Sequence, residues 1–257
     1  MSSKLDRALA GTPNNDLVNE LLQRTATEPD FIGSKLCSLM AMHLIAIGDL
    51  DQALLDAPVR DAWMRLKPIQ KWQLRRLAMR SKVLSRYIDD SGRESSKLHP
   101  YVALIMRSRA NPRYVLTLGH RNAARGIRVF AIGSGQEPEG CFIMEEPDFS
   151  MQDRSKTPLD WGYRYWLVNR QFLATLLAKY SAVPAGEDTD FAGQPRIFSL
   201  YRPPVTDQTM VTRVEVHGAG STAKVVRTGP GAPESAEAAE MTVEELATLV
   251  ADELLAS

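Results

Sequence analysis

Residues 113–146 read RYVLTLGHRNAARGIRVFAIGSGQEPEGCFIMEE, and this stretch decides the fold class. Three short runs, RYVLTLG (113–119), IRVFAIG (127–133) and GCFIMEE (140–146), are rich in β-branched and aromatic residues and alternate with a period near two. Loops separate them: the polar HRNAAR, then a Gly- and Pro-containing turn. An antiparallel meander is the expectation. Gly133-Ser134-Gly135-Gln136 follows a strand but is not followed by Lys-Ser or Lys-Thr, so it reads as a hairpin turn and not as a phosphate-binding loop.

Upstream the period is nearer 3.6. Leu17, Leu21 and Leu22 mark an amphipathic turn, and SKLCSLMAMHLIAIG (34–48) is apolar nearly all round, as a buried bundle helix would be. DLDQALLDAP and VRDAWMRLK predict two shorter helices, each stopped at proline. Pro68 then opens the longest helical pattern, to Asp89, on which Lys71, Arg75, Lys82 and Arg86 lie within about 60° of one another at 100° per residue. Trp72, Arg76 and Tyr87 share another side. The polar DDSGRESSK with Gly92 predicts a hinge.

Downstream, Thr157-Pro158-Leu159-Asp160 has the form of a helix start and predicts one long helix to about Tyr180 with two apolar faces. RIFSLY predicts a strand, and MVTRVEVH with TAKVVRTG predicts a hairpin. GPGAPESAEAAE reads as a tether. Thr242 and Glu245 form a capping box that opens an amphipathic helix, which is expected to dock on its own chain or on a partner. The class is therefore α+β. A helical region (1–90) precedes antiparallel strands around one long helix (96–228), and a tether (229–241) leads to a C-terminal helix (242–257).

The 257 residues carry 31 basic and 31 acidic side chains and are 44% hydrophobic, which excludes a disordered or collagen-like chain. No apolar stretch approaches the ~20 residues of a membrane-spanning helix. MSSKLDRALAG has no apolar centre of the kind a secretory signal carries, and Cys37 and Cys141 cannot build a disulfide framework. The expected compartment is the cytoplasm.

Neutrality overall conceals segregation. Residues 1–61 hold 5 basic and 9 acidic side chains, residues 62–136 hold 16 and 3, and residues 137–257 hold 10 and 19. Such a field attracts a polyanion or an acidic protein surface, unless the acidic flanks fold back and neutralise the middle. Arg outnumbers Lys by 12 to 4 in the middle segment, which suits bidentate phosphate contacts. The candidate phosphate contacts are Lys71, Arg75, Arg76, Lys82 and Arg86 on the helix, Arg107, Arg109 and Arg113 before the first strand, and His120, Arg121 and Arg125 at the hairpin tip.

Other chemistry is less well supported. His43, His99, His120 and His217 are too scattered for a metal-ligand pattern, and His43 in an apolar run reads as a hydrogen-bonded core residue. Glu145, Glu146, Asp148 and Asp153 cluster just after a strand, and Pro147-Asp148 with Asp153 and Lys156 loosely resembles a restriction-type nuclease core. The lysine stands three residues after Asp153, where two are required, so a solvated acidic loop is expected and no catalytic residue is assigned. Cys141 shows no nearby base. The sequence thus points first to a non-enzymatic nucleic-acid-binding subunit of a nucleoprotein assembly, binding RNA or DNA and protein partners without metal or cofactor. The alternatives are a structural or adaptor protein of a larger protein assembly, such as phage or mobile-element machinery, and a nuclease or RNA-processing enzyme.

Overall fold

A computed structural model describes residues 15–28, 31, 33–47, 54–81, 99–120, 125–132, 140–148, 157–182, 195–218, 221–230 and 238–255. Nine strands form a single sheet in the order β1-β5-β4-β3-β2-β6-β7-β8-β9, with every neighbouring pair antiparallel. The strands are β1 (Ser34–Met40), β2 (Val115–His120), β3 (Ile127–Ala131), β4 (Cys141–Asp148), β5 (Gly162–Asn169), β6 (Arg196–Tyr201), β7 (Met210–Gly218), β8 (Thr222–Thr228) and β9 (Ala239–Thr242). The helices are α1 (Asn15–Thr27), α2 (Ala41–Ile47), α3 (Ala57–Arg65), α4 (Pro68–Met79), α5 (Pro100–Ala110), α6 (Arg170–Ala182) and α7 (Val243–Leu249), the last continued by a π-helical turn, Val250–Leu254. The class is α+β, and the β2-β3-β4 meander and the β7-β8 hairpin stand where expected.

Each face of the sheet has its own core, because alternate residues of a strand point to opposite sides. On one face Phe130, Ile143, Tyr163, Tyr165 and Leu167 pack with Leu44, Ile45, Val59, Trp63, Ile105 and Met106 from the N-terminal helices. On the other, Phe142, Met144, Val168, Phe198 and Val214 pack beneath Leu173 and Leu177 of α6 and Leu246, Val250 and Leu254 of the C-terminal helix.

Two expected helices are in part strands. Residues 34–40 form β1 and pair with β5 at the edge of the sheet, and only Ala41–Ile47 are helical. The backbone N–H of Met40 donates to Nδ1 of His43 at 3.1 Å, which caps the turn from strand to helix. Gly33 enters β1 at φ +125°, and a Cβ there would stand 2.7 Å from the Leu167 carbonyl oxygen, so only glycine admits this close approach. The second case is 157–180. The capping pattern at Thr157 produces one 3-10 turn, Pro158–Asp160, and then the chain extends as β5. The two apolar faces read from this segment are the two faces of a central strand: Tyr163, Tyr165 and Leu167 enter the first core, and Val168 enters the second, with Trp166 packed against it. Helix α6 starts only after Asn169, whose Oδ1 accepts from the Phe172 N–H at 2.8 Å.

The expected tether also ends in structure. Residues 239–241 belong to β9, while 231–237 lie outside the described residues. The Thr242–Glu245 capping box is present, with Thr242 N–H donating to the Glu245 carboxylate at 2.8 Å and Glu245 N–H to Thr242 Oγ1 at 3.2 Å. The helix it opens docks on its own chain, burying Leu246, Leu249, Leu254 and Leu255 against the second core. The helix expected from Pro68 to Asp89 ends at Met79 with Arg80 as its C-cap, and the rest of the expected span, 82–89, and the hinge expected near Gly92 lie outside the described residues.

Candidate functional site

The basic residues of the middle segment separate into two groups once the chain folds. Arg109, near the end of α5, is 1% exposed. Its guanidinium donates to one carboxylate oxygen of Glu145 on β4, and Arg128 of β3 donates to the other. Arg128 also binds Asp56, which precedes α3, and Asp56 accepts from the Tyr163 hydroxyl at 2.6 Å. The Tyr165 hydroxyl donates to Glu145 at 2.6 Å. Arg125 is buried beside this group, donating to the Gly162 carbonyl and lying 4.8 Å and 5.1 Å from the ring centroids of Trp161 and Tyr163. The strand register explains the cluster: Arg128 is opposite Glu145 and Glu145 is opposite Tyr165, so all three side chains share the face that meets α3 and α5.

The electrostatics follow from burial opposed by charge. Burial alone pushes the Glu145 carboxyl up, but the guanidiniums of Arg109 and Arg128 and the Tyr165 hydroxyl overcome it and hold the carboxyl below its ordinary value. Burial likewise opposes charge on Arg128, and Asp56 and Glu145 outweigh it. Tyr165 is pushed well up, by burial first and then by the Glu145 charge. Both acids come from the acidic flanks of the sequence, Asp56 from the first segment and Glu145 from the last. Self-neutralisation therefore occurs here, inside the first core. It does not come from the acidic C-terminal helix, which packs with the second core and whose Glu253 pairs with Arg227.

This corrects the placement of two expected phosphate contacts. Arg109 is a core residue, its guanidinium enclosed by the Glu145 carboxylate, the Leu54 carbonyl and the Phe130 ring, while Arg125 is buried against Gly162, Trp161 and Tyr163 and borders a cavity on the sheet. His120 lines a cavity on the sheet, Arg107 is half-buried, Arg113 is exposed, and Lys82, Arg86 and Arg121 lie outside the described residues. The acidic cluster is also not a solvated loop. Glu145 is fully buried, Asp148 is 5% exposed with its carboxylate 3.9 Å from Arg164, and Glu146 accepts from the Trp166 indole at 3.3 Å; Asp153 lies outside the described residues. Among the described residues no group of three His, Cys, Asp or Glu is placed to hold a metal ion. Cys37 and Cys141 are both buried, and burial raises their thiols to about 12 and about 11. Neither thiol is activated as a nucleophile.

The second group of cations is on α3 and α4. Lys71 and Arg75 lean on the buried Trp63 ring, 5.3 Å and 5.2 Å from its centroid, and so fasten α4 to α3. Arg65, Lys67, Arg76 and Arg80 are exposed. Residues 62–81 contain no acid. Between these cations stand large exposed apolar side chains: Met64 (54%), Ile69 (59%), Trp72 (55%), Leu77 (69%) and Met79 (37%). Arg76 lies 5.3 Å from the Trp72 ring centroid. Helix periodicity signalled the cations but not the apolar surface, because Leu77 reads as a core position on the pattern of Leu74, Leu77 and Leu84.

No family model matches the chain, and no curated protein matches it.

Proposed function

We propose that the protein is a non-enzymatic adaptor of a larger protein assembly, and that the α3–α4 surface receives an acidic, amphipathic segment of its partner. The observation that supports this reading is the interleaving of exposed apolar side chains with cations along residues 62–81, a stretch without an acid; the exposed Asp61 of α3 precedes it and pairs with Arg60. Phosphate contacts use cations and gain nothing from Ile69, Leu77, Met64 or Met79, whereas protein interfaces are enriched in Trp, Met and Arg around an apolar centre. Charge then sets the partner's sign and speeds encounter. Nucleic-acid binding is the second reading, supported by Arg65, Lys67, Arg76 and Arg80 beside Trp72, a ring on which a base stacks.

The test is affinity purification from the native cell after nuclease treatment, with wild type, Leu77→Asp and a joint Arg65, Lys67, Arg76, Arg80→Gln variant side by side. Retention of one stoichiometric protein partner by wild type, lost in both variants, is the expected result. A partner held equally by all three sets this surface aside. Nuclease-sensitive material and a steep loss of binding with salt, flattened only by the Gln variant, assign the surface to nucleic acid instead.

A further inference from the structure

The N-terminal helices cover the first-core face over β1, β5, β4 and β3. Over β2, β6 and β7 the same face opens into a cavity of about 290 Å³, remote in sequence from α3 and α4. Thr117, His120, Arg125, Arg128, Ser199 and Arg213 line it, and among the described residues no carboxylate does. Arg128 and Arg125 are held by the network behind the cavity and contribute fixed positive field. Arg213 is different. Its Nη2 is 3.1 Å from Glu215, while its Nε is buried without a hydrogen-bond partner among the described residues. An anion beside the Arg213 fork adds charge-assisted hydrogen bonds to a guanidinium whose one carboxylate partner among the described residues is Glu215.

We propose that this cavity binds the phosphate group of a small phosphorylated molecule. A guanidinium fork at Arg213 and hydroxyls at Ser199 and Thr117, the last donating to the Ser199 carbonyl at 3.4 Å, stand on one face of three adjacent strands, β7, β6 and β2. Such a set of donors suits the three outer oxygens of a phosphate monoester better than the two of a carboxylate. Gly119 supplies the room. A Cβ added there meets nothing closer than 3.7 Å, so the floor is open because the residue has no side chain, not because the backbone is unusual. The volume stands at the small end of the ~300–1,000 Å³ range of ligand sites, which fits a phosphate on a compact body and not a polymer.

The test uses the full chain with inorganic phosphate, glycerol 3-phosphate and a 5′-phosphorylated oligonucleotide, at matched ionic strength against chloride, by thermal shift and calorimetry. Phosphate and the monoester are expected to stabilise the protein, the monoester binding more tightly. Arg213→Gln should weaken both by about tenfold or more, the usual scale for one charge-assisted hydrogen bond. Gly119→Val adds its side chain at a position where a Cβ has room and changes no charge, and it should abolish binding, while Gly119→Ala, whose Cβ meets nothing closer than 3.7 Å, should weaken binding and leave the melting temperature in chloride unchanged. Absence of any effect of phosphate on wild type, or undiminished binding by Gly119→Val, overturns the proposal. Binding of inorganic phosphate but not the monoester overturns the phosphorylated ligand. An oligonucleotide that outcompetes the monoester overturns the small one.

Discussion

Arg109 and Arg76 come from the same basic stretch of sequence and have opposite fates. Arg109 is sealed in the first core, held by Glu145 and facing the Phe130 ring, whereas Arg76 stands in solvent over Trp72. Between them are Lys71 and Arg75, half-buried and spent on the Trp63 ring. The difference shows that sequence charge density is not surface charge density. A cation opposite a strand acid becomes structure, and a cation on a helix without acidic neighbours remains available to a partner.

The sharpest way to break the comparison is at Glu145. Glu145→Gln leaves Arg109 without its counter-charge and Arg128 with Asp56 alone, and it should lower unfolding free energy by about 3–5 kcal/mol in denaturant titrations. If the loss is below about 1 kcal/mol, the buried network does not hold the sheet to α3 and α5. Adding Arg109→Met to Glu145→Leu should recover part of the loss caused by Glu145→Leu alone, since it removes the Arg109 charge left without its carboxylate.

Acid acts on the buried residues in two windows. His43 is held neutral by burial, with its ordinary value of 6.5 lowered to about 4. The unfolded chain therefore takes up a proton between these values while the native chain does not, and stability should fall as pH drops from 6.5 towards 4. His43→Gln should flatten the melting temperature across that window. Glu145 has the opposite charge and a lowered pKa, so its contribution is present above the ordinary glutamate range and is lost only as pH falls below it. Glu145→Gln should remove that lower step and leave the His43 step in place.

The intermediate group should show an intermediate effect. Arg75→Gln takes one cation from the Trp63 ring and should cost about 0.5–1 kcal/mol, read as a shift in denaturation midpoint. Smallest of all, Arg76→Gln and Arg80→Gln should each change stability by no more than about 0.5 kcal/mol while weakening partner binding. A larger stability loss at Arg76 would place it with the structural arginines and remove it from the docking surface.

By itself the sequence determined the class, the meander, the β7–β8 hairpin, the Thr242–Glu245 cap and the segregation of charge. Apart from the charge segregation, a matter of composition, these are local: each is read from a period, a turn or a cap among neighbouring residues. It also carries a second helix-start signal, Asn169 before Arg170-Gln171-Phe172, which marks the start of α6 better than Thr157 does. Tertiary structure alone decided that SKLCSLM is an edge strand, because an apolar run of this length is equally compatible with a buried helix and only the open edge of β5 selects the extended form. It also decided which arginines are buried. Glu145 meets Arg109 across 36 residues and Arg128 meets Asp56 across 72, and no periodicity of the chain reports on a partner that the sheet register supplies.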